Sequence, residues 1–240
     1  MNAPTEISDA VHRPRWINAA RLIVLQLTTP VLLAVLMFWP AGTLWWTRGW
    51  VFLLTFTVGA PLSAIYLQRV NPDVVVARSR FHKGTKAWDK CLLAVLFPAF
   101  LAIISVAALD DSRFHWCPLP WSICALGYAI LCCGFAEAIW ATAVNRFFEP
   151  TVRIQSDRGQ TVVTTGPYAI VRHPGYAAAL PMFVGMALAM GSLWALIPAA
   201  IASVVLVLRT LWEDATLKAE LPGYQDYAQR VRYRLIPGVW

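Results

Sequence analysis

Residues 174–208 read PGYAAALPMFVGMALAMGSLWALIPAAIASVVLVL, 35 consecutive positions without an Asp, Glu, Lys or Arg. A helix crossing the hydrocarbon core of a bilayer needs about 20 apolar residues, so this stretch is too long for one crossing and too apolar for a soluble surface. Gly191-Ser192 near its middle is a turn dipeptide between two apolar runs. The stretch therefore reads as a hairpin of two helices, Gly175 to Met190 and Leu193 to Trp212. Ala177, Ala178, Ala179, Gly185, Ala187 and Ala189 on the first arm let the two helices approach closely, which is how packing is obtained in lipid.

Working outward, four further stretches lack charge: Leu22 to Thr47, Gly49 to Gln68, Cys91 to Leu109 and Phe114 to Ala136. Each fits one crossing. The fold class is all-α, a multi-pass transmembrane helical bundle of about six membrane segments with a C-terminal hairpin. The composition agrees, since 58% of the 240 residues are hydrophobic and only 14% charged, where a soluble domain carries roughly a quarter charged. The chain reads as one integral membrane domain in two parts: residues 1–144 hold the N-terminal helices, and residues 145–240 hold a connecting loop, the hairpin and a tail. Leu22 to Met37 has the apolarity of a signal-peptide core, but Trp39-Pro40-Ala41 is no small-residue cleavage site, so a retained helix is expected.

Lys and Arg divide 18 to 2 across six crossings, with only Arg48 and Arg113 on the sparse side. The insertion bias then puts both termini and the loops 69–90 and 146–172 in the cytoplasm. This explains the formal charge of +7 without a nucleic-acid partner. The five cysteines show no C-x-x-C spacing and the four histidines fall in four separate connections or segment ends, so no metal site is predicted.

Two cytoplasmic stretches carry chemistry. Thr165-Gly166-Pro167-Tyr168-Ala169-Ile170-Val171-Arg172-His173-Pro174-Gly175-Tyr176 ends directly at the hairpin, with Pro174 placed where a helix begins. Arg172 and His173 can serve there as a headgroup anchor and a helix cap, or as site residues. The second stretch leaves the hairpin and contains Glu213, Asp214, Leu217, Lys218, Tyr224 and Tyr227. Asp214 and Lys218, four apart, read as an ordinary surface ion pair. Glu213 follows the apolar span, and the hairpin should bring it near Arg172 and His173. Tyr224 and Tyr227 read equally as aromatic walls or headgroup contacts.

The ordered set Gly-Pro-Tyr, Arg-His-Pro-x-Tyr, Glu-acid-x-x-Leu and Pro-Gly-Tyr-x-x-Tyr, followed by a basic stretch ending in Ile-Pro, resembles the isoprenylcysteine carboxyl methyltransferase family and its bacterial relatives. A weaker similarity extends to phospholipid methyltransferases. The resemblance covers 145–240, and the four N-terminal helices carry no matching motif. It implies S-adenosylmethionine as cofactor, bound near the cytoplasmic face over the hairpin, and a lipophilic or small-molecule methyl acceptor reached from the membrane lipid bilayer. It further implies that Tyr168, His173, Tyr176, Glu213, Leu217 and Tyr227 line the cofactor site, with Arg172 and Glu213 as the catalytic pair at the reacting end. Many members have two Glu where this chain has Glu213-Asp214. Two rival readings keep the cofactor but change the acceptor to a phospholipid amine or a small thiol. A third is a non-catalytic scaffold or transporter.

Glu137 lies nine positions before Arg146, about 13 Å deeper at the helical rise, inside an otherwise apolar segment. It reads as a neutral acid, as one hydrogen-bonded to a neighbouring Trp or Tyr, or as a functional group. The charge asymmetry sets the first test. Single cysteines at Ser8, Lys83, Gln160 and Gln229 are expected to label from one face and those at Thr43 and Asp111 from the other. Labelling of Ser8 and Gln229 from opposite faces contradicts an even number of crossings.

Overall fold

The computed structural model describes residues 19–78 and 84–240; Ser8, His12, His82 and Lys83 lie outside the described residues. It is helical, running α1 (Ala19–Ala41), α2 (Thr47–Val70), α3 (Pro72–Arg78), α4 (Ala87–Ala107) with a π-helical turn at Ala108–Phe114, α5 (Trp121–Val144), α6 (Pro174–Ala189), α7 (Leu196–Glu220) and α8 (Tyr224–Arg230). Among the described residues six of these helices are apolar, consistent with a multi-pass helical membrane protein. Four spans, Thr47–Val70, Ala87–Phe114, Trp121–Val144 and Leu196–Glu220, are long and apolar enough to cross a membrane. Leu27–Ala41 and α6 are apolar but shorter. At 16 residues α6 is about 24 Å long at the helical rise.

The hairpin forms where the sequence places it. Gly191 at its turn has φ +81°, a conformation L side chains rarely adopt, and a Cβ there would collide with Arg48. The expected boundaries shift elsewhere. The fourth span begins at Trp121 rather than Phe114, because Pro118 and Pro120 keep the preceding chain extended and Pro120 becomes its N-cap. α7 continues to Glu220, two turns past Trp212, until Pro222-Gly223 ends it. Glu137 is therefore mid-helix, on the exposed face of α5, with no hydrogen-bond partner among the described residues.

Packing is closest between α5 and α6, and glycine makes it possible. A Cβ on Gly185 would stand 2.8 Å from the backbone nitrogen of Leu131 and 3.0 Å from the carbonyl of Gly127. The bulkier core lies between α1, α4, α6 and α7, where Met37, Ile103 and Met190 are fully buried.

Two polar clasps hold the ends of the bundle. At the end carrying Arg48 and Arg113, Asp111 pairs with Arg48 and accepts from Trp46 Nε1 at 2.7 Å. Its neighbour Asp110, fully buried, accepts from the Cys117 amide at 2.7 Å and from Ser192 Oγ in the hairpin turn. Asp111 is thus buried in a clasp, which makes it a poor labelling position. At the other end Asp89 of α4, also fully buried, accepts from Arg209 Nε of α7 at 2.7 Å and from the Val152 amide at 2.7 Å. Arg209 also donates to the carbonyl of Pro150 at 2.8 Å. The loop after α5 is thereby tied to both α4 and α7.

The α5–α6 contact yields a second test. Gly185→Val is expected to lower stability by about 1–3 kcal/mol through overpacking against backbone that cannot move aside. Gly59→Ala, whose Cβ would meet only Phe135 at 3.8 Å, is expected to leave stability unchanged. Thermal unfolding in detergent reads both; equal melting temperatures for the two variants contradict the packing.

Candidate functional site

Twenty-nine residues, 145–173, separate α5 from α6, and they hold no more helix than two short 3-10 turns. A loop this long inside a compact domain is uncommon unless it performs a function. It folds back over the α6–α7 hairpin and lines, together with it, a cavity partly open to solvent.

Every residue that the resemblance assigns to the site lines this one cavity: Tyr168, Arg172, His173, Tyr176, Glu213, Leu217 and Tyr227. Pro174 takes the first position of α6 and leaves His173 at the N-cap, where its ring stacks on Tyr176 with centroids 5.8 Å apart and planes 4° from parallel. The His173 side chain makes no capping hydrogen bond. Tyr176 Oη donates to Glu213 Oε2 at 2.5 Å, bridging the two arms of the hairpin. Arg209 lies against the Tyr176 ring, its guanidinium carbon 5.2 Å from the centroid.

The reading of Asp214 as a surface partner of Lys218 needs correction. The pair forms at 2.9 Å, but Asp214 is only 1% exposed and sits at the centre of a network. Arg172 grips it with Nε at 2.7 Å and with the other guanidinium arm at 3.0 Å. Arg234 Nε reaches it at 3.1 Å and Tyr224 Oη donates at 3.0 Å. His173 Nε2 stands 3.5 Å away. The second arm of Arg172 donates to the carbonyls of Val231 and Arg232, at 2.8 and 2.7 Å. Asp214, not Glu213, is therefore what holds Arg172. The two acids are neighbours in sequence but about 100° apart around α7, so one turns inward while the half-buried Glu213 faces the cavity.

Burial alone would lower the pKa of Arg172, but its hydrogen bonds to Asp214 and that carboxylate's charge raise it above the ordinary arginine value. Burial pushes the hydroxyls of Tyr168, Tyr224 and Tyr227 up, so all three stay neutral donors at physiological pH. Tyr227 Oη donates to the Tyr168 carbonyl at 2.7 Å and Asn145 Nδ2 donates to Tyr168 Oη at 3.0 Å. Tyr224 and Tyr227 meet edge to face at 5.4 Å, are buried, and form walls.

The sequence motifs missed the far wall. Asn145, Phe147, Phe148, Glu149, Arg153, Gln155 and Gln160 line the cavity from the long loop. Arg153 holds Glu149 in a two-armed pair, at 2.7 and 2.9 Å, and Arg158 joins it at 3.3 Å. The Gln155 amide donates to Gln160 Oε1 at 2.7 Å and its side chain to the Phe147 carbonyl at 2.7 Å. The available signal was the length of the non-helical interval itself.

The network and the cavity face predict different costs. Asp214→Asn removes the charge that three cations share in a buried setting and is expected to cost about 3–5 kcal/mol. Glu213→Gln keeps a partner for Tyr176 at a half-buried position and is expected to cost under about 1 kcal/mol. Thermal unfolding in detergent distinguishes them, and an equal loss in both contradicts the division of roles.

Comparison with known families bears on this half of the chain. The family described as phospholipid methyltransferase matches residues 122–221, from the start of α5 to the end of α7. No curated protein matches the chain. The matched interval contains the long loop, both hairpin arms, Arg172, His173, Tyr176, Glu213 and Leu217, and it supports a membrane methyltransferase.

Proposed function

We propose that the chain is an S-adenosylmethionine-dependent methyltransferase that takes a lipid-like or membrane-accessible acceptor on the cytoplasmic side of its membrane. The observation that carries this reading is the convergence of Tyr168, Arg172, His173, Tyr176, Glu213 and Leu217, all within the interval matched by the methyltransferase family, on one cavity that Tyr227, just beyond that interval, also lines. The donor set fits the cofactor. Glu213, whose one hydrogen bond is from neutral Tyr176, offers negative charge to an ammonium or sulfonium centre. The aromatic faces of Tyr168, Tyr176, Tyr224 and Tyr227 suit both a flat base and a cation. Gly175 leaves room at the wall, where a Cβ would stand 2.5 Å from the Phe148 ring.

When bound, S-adenosylmethionine would supply a sulfonium methyl group to a carboxylate, amine or thiolate acceptor, the new bond forming at the methyl carbon as the C–S bond breaks to leave a neutral thioether, with an amine acceptor also giving up a proton to solvent. The work left to the protein is alignment, charge compensation and exclusion of water. Glu213 and the tyrosine faces compensate positive charge. The loop 145–173 covers the site from above. Arg172 lines the cavity with its guanidinium braced by Asp214 and two carbonyls, so that its remaining N–H is presented from a fixed position toward a carboxylate of cofactor or acceptor. The acceptor follows from chemistry alone: a prenylcysteine-type carboxylate, a phospholipid amine or a thiol each provides the nucleophile.

S-adenosylhomocysteine should raise the melting temperature of the purified chain with the logarithm of its concentration. His173→Ala and Glu213→Ala are each expected to weaken that response. Arg172→Lys is expected to lose methyl transfer on the order of a hundredfold, because an ammonium cannot reproduce the braced planar fork. No thermal response in the wild-type protein, together with no transfer of labelled methyl to lipid extracts or small thiols, overturns the enzymatic reading.

A further inference from the structure

α3 lies outside the interval that carries the motifs, and its last residue packs on a residue of the cavity wall. Asn71, just before it, donates through Nδ2 to the carbonyls of Thr142 and Ala143 at 3.2 and 3.1 Å, capping the end of α5. Asp73 pairs with Arg146 at 3.6 Å. These two contacts fix α3 to the start of the long loop. At its last residue the Arg78 guanidinium lies over the ring of Phe148, 5.1 Å from the centroid. Phe148 lines the cavity and packs on Gly175, beside His173 and Tyr176.

Among the described residues, every other arginine that touches a lining side chain is matched by a carboxylate. Arg172 has Asp214, Arg153 and Arg158 have Glu149, Arg209 has Asp89 and Arg146 has Asp73. Arg78 has no hydrogen bond or ion pair with any described residue. It keeps an exposed face, yet desolvation pulls its pKa below the ordinary arginine value, Arg209 adds in the same direction, and Tyr176 and Tyr168 oppose them. Arg153, bonded to Glu149, is shifted the other way. A guanidinium held over an aromatic ring, beside a cavity and without an anion, is short of a partner that a ligand can supply. The alternative is an arginine that only complements the C-terminal dipole of α3 and anchors it at the headgroups.

We infer that Arg78 binds an oxyanion of the methyl acceptor, a phosphodiester or a carboxylate, at the rim of the cavity, so that the N-terminal half of the chain selects the acceptor. This rests on the methyltransferase reading above. Phe148 sets the plane of the guanidinium, and two parallel N–H groups of its fork meet two oxygens of the anion. The cofactor stays with Glu213 and the tyrosines, on the hairpin side.

The test uses the full chain in phosphatidylcholine nanodiscs with labelled S-adenosylmethionine and three acceptors: phosphatidylethanolamine, S-farnesylcysteine and uncharged farnesyl thiol. Arg78→Ala is expected to raise KM for an oxyanion-bearing acceptor on the order of tenfold to a hundredfold, the loss of a charged hydrogen-bonded contact, with a smaller rise for the thiol. Arg78→Lys should fall between, and stabilisation by S-adenosylhomocysteine should match the wild type in both variants, which also reports that they fold. A rise confined to phosphatidylethanolamine assigns the phosphodiester, and one confined to S-farnesylcysteine assigns the carboxylate; either supports the inference. Wild-type transfer with KM unchanged in Arg78→Ala, or raised equally for the thiol, overturns the inference and leaves the methyltransferase reading standing. Loss of the S-adenosylhomocysteine response in Arg78→Ala also overturns it by assigning Arg78 to the cofactor. Absence of transfer by the wild-type chain to all three acceptors, with no response to S-adenosylhomocysteine, overturns both.

Discussion

The buried carboxylate of Asp214 is the contact on which the site depends. It joins α7, which carries it, to the start of α6 through Arg172, to α8 through Tyr224 and to the tail through Arg234. Removing a charge from water is expensive, and at 1% exposure this one is tolerable only because three cations and a hydroxyl surround it. The backbone follows, with the amides of Arg172 and His173 donating to the carbonyls of Tyr233 and Arg234 at 2.9 and 3.0 Å. Arg172 and His173 therefore stand at the cavity wall in fixed orientation before any ligand arrives.

A second buried acid, Asp89, carries the opposite wall. Its two oxygens face Arg209 of α7 and the amide of Val152, so the loop that roofs the cavity is fastened to the same helix that carries Glu213. Floor and roof share α7 as a common reference, and α4 packs along that helix with Trp88 meeting Trp212 at 5.5 Å. The clasp of Asp110 and Asp111 at the far end fixes the hairpin turn against α2 and α4. With both ends pinned, the hairpin arms have little freedom to slide, which is the condition for a displacement reaction that depends on alignment.

The hairpin was legible because an apolar block of 35 residues with Gly-Ser inside has one economical reading in a bilayer. Six apolar segments were legible for the same reason. Helix ends were not: an apolar count cannot tell Phe114 from Trp121 as a starting point, and only the prolines between them decide. Arg172, His173, Tyr176, Glu213 and Leu217 were legible through the ordered motif that contains them. Asp214 was misread because its sequence neighbour Lys218, four positions on, suggests a surface pair, whereas Arg172 and Arg234 come from segments 42 and 20 positions away. Glu149, Arg153 and Arg78 carry no periodicity or motif. Their roles arise from a loop folded over the hairpin and a short helix held by Asn71, which are tertiary facts.

The charges around the cavity sort into two kinds, and that sorting describes the site better than its shape does. Arg153 with Glu149, Arg209 with Asp89 and Arg172 with Asp214 are internal pairs whose fields largely cancel at a distance. The hydroxyls of Tyr227, Tyr224 and Tyr176 donate to the Tyr168 carbonyl, to Asp214 and to Glu213, while that of Tyr168 accepts from Asn145. Among the described residues, Glu213 takes its hydrogen bond from a tyrosine and Arg78 has no anionic partner. Glu213 lines the cavity with Arg209 close enough to feel its charge, and Arg78 stands behind Phe148 of the cavity wall. On the methyltransferase reading proposed above, a positively charged methyl donor and an acceptor carrying an oxyanion would together complement that pair, the donor at Glu213 and the acceptor at Arg78, and neither alone would serve both.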